Sequence, residues 1–286
     1  MKYDSLLMNN IDTICISGGG VKGLAFIGAL QFLYSIHFIK PHYIKNFVGT
    51  SVGSMISFIL AIGYTFDELF DFVIDFNFQK LEPNVDIDNL FSSFGIDNGQ
   101  KVTFLLSYFL KNKLNLDDIT FSQLFKITNN NLIIIGTNFS KGTETVFCHT
   151  HTPDMSVITA IRISSSIPII FTPVLYNSDY YIDGALVNNF PIKYCNPDTT
   201  IGLYIFNSCC NHLDDITSLI IGCMSIITDT ITNKDCDKSK YKYIQINNNN
   251  NTQFSNFNFD QQTKIDLINL GTSSAKNYIL QLYSIS

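Results

Sequence analysis

Tryptophan is absent from the 286-residue chain, and arginine occurs once, as Arg162. Charge of either sign is sparse: 24 acidic and 18 basic side chains make up 15% of the residues and leave a formal net charge of −6. No basic stripe occurs, which excludes nucleic acid as a partner, because phosphate contacts need clustered lysine and arginine. The same deficit removes bulk attraction to an anionic membrane, so contact with lipid has to be apolar or local. Also missing is an unbroken apolar run of about 18 residues. The greasiest stretch, SVGSMISFILAIGYTF, is interrupted by serine and glycine and reads as buried helix, not as a membrane span. The opening MKYDSLLMNN has no apolar core of signal-peptide length. Seven cysteines form no CxxC pair, and the adjacent Cys209 and Cys210 cannot bridge each other without strain. Reduced thiols are the simplest account, which places the protein inside a cell, soluble or peripheral on membranes.

What is present is apolar material: 46% of residues are hydrophobic and 13% aromatic, enough for a sizeable core and incompatible with wholesale disorder. Strand and helix signals alternate. IDTICIS is a β-branched run ending in three glycines, and Val21, Leu24, Ala25, Gly28, Ala29, Phe32 and Ile36 then recur at helical spacing. IKNFVGT is a second strand, followed at once by helical SVGSMISFILAIGY. Two strand–turn–helix units in succession predict βαβ construction: a three-layer α/β/α fold with a mainly parallel central sheet. Residues 77–100, rich in Asn, Asp and Gly, read as a loop or lid. NNLIIIGTNF and GTETVFCHT read as paired strands, DMSVITAIRISSS as a helix stopped by Pro168, and DDITSLIIGCMSIITDTIT as a buried helix. No linker divides the chain, so a single domain is expected over 11–283, with 1–10 and 284–286 as short extensions.

Two glycine motifs sit at strand-to-helix turns. Gly18-Gly19-Gly20-Val21-Lys22-Gly23 fits G-x-G-x-x-G, but a dinucleotide site needs an acidic residue about 20 positions on, and none occurs between Asp12 and Asp67. A phosphate loop also fails, because Leu24-Ala25 follow Gly23 where Lys and Ser/Thr are required. What survives is either a tight turn or a nest of backbone N–H groups at a helix N-terminus, where an oxyanion could be held. Gly49-Thr50-Ser51-Val52-Gly53 is G-x-S-x-G, a pattern that sets a serine hydroxyl clear of the sheet on a strained turn. Ser51 is therefore a candidate nucleophile, with helix capping as the plainer alternative. Among the five histidines only His212 follows late enough to complete a Ser–acid–His order, and no motif surrounds it. His149 and His151 form two potential metal ligands, too few for a site, and read as exposed hairpin residues. Asp183, at the end of YYID and before Gly184, offers a different base.

Four motifs in register, SGGGVKG, GTSVGS, RISSSIPIIFTPV and DGALVNNFP, together resemble the patatin-like phospholipase family over residues 11–283. The resemblance implies a Ser51–Asp183 dyad, an oxyanion hole from Gly18, Gly19 and Gly20, and Lys22 where the family carries Arg or Lys. Gly23, Gly49, Gly53, Gly184 and Ala185 support the motifs. DGA stands in place of the commoner DGG, and Thr137-Asn138 in place of Thr-Asp. It further implies hydrolysis of lipid acyl esters, phospholipids above all, with transient contact to a membrane, no cofactor and no metal; whether a protein activates the enzyme is left open. Arg162 reads either as a contact to substrate phosphate or as a helix-surface or structural residue. Phe78, Leu81, Leu90, Phe91 and Phe94 would be the apolar anchors if 77–100 is a lid that touches membrane. A Ser-His-Asp esterase or thioesterase using His212, and a non-catalytic lipid-binding module, are the competing readings. The Ile-, Asn- and Phe-rich composition fits an AT-rich coding genome, as in a large DNA virus or a protist, and so a host cytoplasm if viral.

Overall fold

The computed structural model describes residues 11–207, 216–235, 240–248 and 260–284. The first strand, β1 (Thr13–Ile16), is wholly buried and leads through the glycine turn to α1 (Leu24–Ser35). Then come β2 (Asn46–Thr50), α2 (Val52–Ala61), α3 (Phe66–Asp75), α4 (Ile87–Ser93), β3 (Gly95–Asp97), α5 (Gln100–Leu114) and α6 (Phe121–Thr128). The antiparallel pair β4 (Asn131–Asn138) and β5 (Thr143–Phe147) precedes α7 (Val157–Ser164), β6 (Ile169–Phe171), β7 (Val174–Tyr176), β8 (Asp179–Asp183) and α8 (Ala185–Asn188). β9 (Thr200–Asn207), α9 (Ile216–Asp235), β10 (Lys242–Asn248) and α10 (Gln261–Ser284) close the chain.

The main sheet runs β10-β9-β1-β2-β4-β8-β7, with β5 also on β4. Its centre, β10 through β4, is parallel, and β5, β8 and β7 add antiparallel pairs at one side. Alternation along the central strands produces two apolar layers. Ile14, Ile16, Phe47, Leu203 and Ile205 join the larger core, whereas Cys15, Val48 and Tyr204 turn to the other face, where Phe190 and Ile192 cover them. Strands buried on both faces need apolar side chains at consecutive positions, which is why IDTICIS reads as a continuous greasy run.

α10 packs on α1 with backbone against backbone. A Cβ on Gly28 would lie 2.0 Å from the carbonyl oxygen of Ile268, and one on Gly271 would lie 1.7 Å from that of Ala25. Alanine at 271 gains about 1 kcal/mol of helix propensity over glycine, but forcing the helices apart costs about 1–3 kcal/mol and unpacks the neighbours too. Sterics therefore win: Gly271→Ala is expected to lower stability by about 1 kcal/mol in urea unfolding, and an unchanged midpoint would refute the close crossing.

Two expectations are corrected. Residues 77–100 are not a plain loop: α4 is capped by the Asp86 side chain, which accepts the Asn89 N–H, and β3 pairs in parallel with β6 in a small second sheet. A three-residue strand carries no readable periodicity, and its partner lies far along the chain. α9 is not a buried helix: Leu219, Ile226 and Ile227 are 42%, 60% and 48% exposed. Among the described elements it packs on α8 and β9. Among the described residues no helix is long and apolar enough to cross a membrane.

Candidate active site

β4 explains how two side chains 132 positions apart meet. Along one side of β4, β2 runs in parallel and ends with Thr50 opposite Ile135. Along that same side β8 arrives from the opposite direction and ends with Asp183 opposite Gly136. The other side of β4 is taken by β5 through Ile134–Asn138. The ends of β2 and β8 thus abut at adjacent rungs, and Ser51, the next residue after β2, stands beside Asp183.

Ser51 has φ 53° and ψ −126°, a backbone conformation that costs a non-glycine residue free energy and marks a strained elbow. The flanking glycines have a steric reason. A Cβ on Gly49 would sit 2.4 Å from Gly53 backbone, and one on Gly53 would sit 2.3 Å from the Ile16 carbonyl oxygen. The Ser51 hydroxyl donates to Asp183 Oδ2 at 2.8 Å, and both residues are buried. The other carboxylate oxygen, Oδ1, accepts the Ala185 N–H at 2.8 Å. Burial pushes the Asp183 carboxyl up to about 7, against the opposing pull of the hydrogen bonds from Ala185 and Ser51.

The serines of RISSSIP brace this pair, a role the sequence alone did not disclose. Ser164 Oγ accepts the Ser51 N–H at 2.9 Å, and its carbonyl accepts the Gly184 N–H at 3.2 Å. The Ser166 carbonyl accepts the Asp183 N–H at 2.9 Å. Thr137 Oγ1 donates to the Asp183 carbonyl at 2.7 Å, so Thr137 holds the base from β4. The one legible signal was a run of small polar residues where the apolar face of α7 stops. α7 itself ends at Ser164, ahead of Pro168: the Ser166 N–H shifts to the Ile163 carbonyl three residues back, while the Ser165 and Ser166 hydroxyls donate to the Ile161 and Arg162 carbonyls.

Arg162 is buried and structural, not on the helix surface. Its guanidinium donates to the Asn98 carbonyl through Nε and Nη2 (3.1 and 3.0 Å), to the Thr172 carbonyl at 3.1 Å, and to Ser166 Oγ. Burial lowers it to about 10, so it remains charged at neutral pH. It ties the β3–α5 junction to the segment that holds Asp183.

The glycine turn is drawn in by DGALVNNFP: the Gly18 N–H donates to the Asn189 carbonyl at 3.1 Å, and Thr50 Oγ1 to the Asn188 carbonyl at 3.0 Å. Gly18 thereby departs from the expectation for the three glycines, since its N–H is already engaged. Gly19 and Gly20 line a cavity of about 60 Å³ with Ser51, Asp183, Ala185 and, from α9, Met224. Gly20 opens a 3-10 turn, whose first N–H groups have no partner within the turn. Lys22 is buried in that turn, its N–H donating to the Gly19 carbonyl. A Cβ on Gly23 would meet Val52 Cγ2 at 2.7 Å, and one on Gly184 would meet the Ile135 carbonyl oxygen at 2.2 Å.

On its other side Ser51 opens into a second cavity, of about 140 Å³, walled by Ile27, Met55, Ile59, Val73, Leu106 and Phe109 among other apolar side chains. Among the described residues the histidines take no part in this arrangement. His149 is half-buried, stacked on Phe125 and 3.0 Å from Asn131 Oδ1 at the amino-terminal start of β4; His151 is exposed. His212 lies outside the described residues.

Comparison with known proteins adds kinship. The family described as patatin-like phospholipase matches residues 14–195. An uncharacterised protein of Acanthamoeba polyphaga mimivirus is 35% identical over 73% of this chain and 69% of its own length. A probable lipid hydrolase of Invertebrate iridescent virus 6 is 35% identical over 64% of each chain. Among solved structures, VipD from Legionella pneumophila aligns with a TM-score of 0.62 at 16% identity, over 95% of this chain and 67% of its own. ExoU of Pseudomonas aeruginosa, solved in complex with SpcU, aligns at 0.55 and 15%, this chain spanning about half of it (52%). Those two likenesses speak for the fold alone. The match across 14–195 and the viral relatives carry the rest: the chain belongs to the patatin-like phospholipase family.

Proposed function

We propose that this lipid hydrolase cleaves fatty-acyl esters of phospholipids through an acyl-enzyme, with Ser51 as nucleophile and Asp183 as its base. The reading rests above all on the 2.8 Å hydrogen bond from the Ser51 hydroxyl to a buried carboxylate. Ser51 Oγ attacks the ester carbonyl carbon as its proton passes to Asp183 Oδ2. The developing oxyanion is held by the Gly19 and Gly20 amides; such a donor contributes about 2.7–4 kcal/mol in a serine hydrolase. Collapse breaks the C–O bond, and Asp183 returns the proton to the departing alcohol, the lysolipid. Water then gives up a proton to Asp183 as it attacks the acyl carbonyl, and collapse breaks the acyl–Oγ bond, releasing the fatty acid while Asp183 returns that proton to Ser51 Oγ. A carboxyl near pH 7 suits both directions of transfer, since it is neither too weak to accept nor too weak to donate.

The apolar cavity beside Ser51 supports an acyl substrate, because an alkyl chain is the ligand such a wall stabilises. The working unit is taken to span 11–283, since β9 completes the sheet beside β1 and α10 covers α1, both beyond the matched 14–195. Incubation with mixed phospholipid vesicles should release fatty acids and lysolipids in equal amounts, read by mass spectrometry. Intact lipids after incubation with folded protein would sink this reading and leave a lipid-binding module.

A further inference from the structure

The cavity that meets Ser51 is too small for the chain of a membrane lipid. A cavity of about 150 Å³ takes up benzene, and this one measures about 140 Å³. A bilayer acyl chain reaches roughly 15 Å, half the ~30 Å hydrocarbon thickness. Beyond the first few methylenes the chain needs somewhere else to lie.

An open groove of about 550 Å³ adjoins the cavity, floored by Phe76, Phe104 and Tyr108 and rimmed by Lys80 and Lys101. Phe72, Leu81 and Leu105 belong to both linings, so three side chains form the partition between the two spaces. Phe104 is 74% exposed and Tyr108 51%, leaving an apolar surface continuous with the cavity that contains Ser51. Leu105 is half-buried on α5, and Leu81 ends the 3-10 turn Phe78–Leu81, so neither is locked into the core.

We infer that this groove is the subsite for the distal part of a long acyl chain, entered past Phe72, Leu81 and Leu105, so that the partition sets chain-length preference. The inference rests on the acyl-hydrolase reading above. Each methylene stabilised by burial is worth roughly a fourfold gain in kcat/KM. The ratio of kcat/KM for p-nitrophenyl palmitate to p-nitrophenyl butyrate is the measurement. Leu105→Trp, which plugs the partition, should lower that ratio about 50-fold or more, the loss of some three methylenes. Phe104→Ala removes an exposed floor residue, so folding is not at issue, and should lower it about fourfold. Binding of cis-parinaric acid, followed by its fluorescence without turnover, should weaken in both variants. Ratios and parinaric affinity equal to wild type in both would overturn the inference. A wild-type protein that hydrolyses no ester, while parinaric binding still weakens in the variants, would sink the hydrolase reading and leave the groove standing.

Discussion

Ser51→Ala should reduce acyl-ester hydrolysis by roughly 10⁵-fold or more, the scale on which loss of a serine nucleophile falls. It should also abolish labelling by a fluorophosphonate, which reports the activated hydroxyl directly. Wild-type protein that is labelled on a serine other than Ser51, or a variant that keeps its turnover, would refute the assignment. The elbow adds a second readout. Alanine leaves a side chain at φ 53°, whereas Ser51→Gly relieves a strain of about 1–3 kcal/mol and gives back roughly 0.5–1 kcal/mol in unfolded-state entropy. Both variants should be inactive, with the glycine variant more stable than the alanine variant by about 1 kcal/mol in urea unfolding.

Asp183→Asn should lower kcat by about 10²–10⁴-fold, the range for loss of a positioned base. In the wild type, kcat/KM should fall tenfold per pH unit on the acid side of about pH 7, where the carboxyl gains its proton. The variant's residual rate should lack that limb; an acid limb retained in Asp183→Asn would assign the titration to another group. Stability should move the other way. The folded carboxyl is raised from an ordinary value of about 4 to about 7, so between those values the native state holds a proton that the unfolded chain releases. Wild-type stability from this group is therefore full below about pH 4, declines as pH rises towards 7, and stays low above it, a loss of at most about 4 kcal/mol. Asparagine carries no charge to desolvate. At pH 8 the variant should be the more stable protein by roughly 2–4 kcal/mol, and near pH 4 the two should converge. A variant less stable at pH 8 would mean that Asp183 is held ionised by something other than the contacts described.

The parts of the site legible in the chain are those whose cause is local. Gly49 is demanded by the contact of the elbow with its own Gly53 backbone, so a five-residue pattern carries it; Gly53 fits the same pattern, although what crowds it is the Ile16 carbonyl of neighbouring β1. Gly19 and Gly20 open a 3-10 turn straight after a strand, again within a few residues. The parts that were not legible depend on distant partners. Ser164 and Ser166 hold Ser51 and Asp183 through backbone and hydroxyl contacts that no spacing announces. Gly18 looked like its neighbours, and only the Asn189 carbonyl, brought in from the far side of the fold, distinguishes it. β3 and its pairing with β6 escaped notice because three residues hold too little periodicity to be read.

Composition, alternation and glycine placement were enough to specify a parallel α/β sheet, an elbow bearing Ser51, and an acidic candidate in Asp183, because each follows from short-range sterics and from which side chains water excludes. The meeting of that hydroxyl with that carboxylate was decided elsewhere, by two strands ending head to head along one flank of β4. So was the raised affinity of Asp183 for a proton, since desolvation is a property of everything packed around a group and no stretch of chain contains its own surroundings.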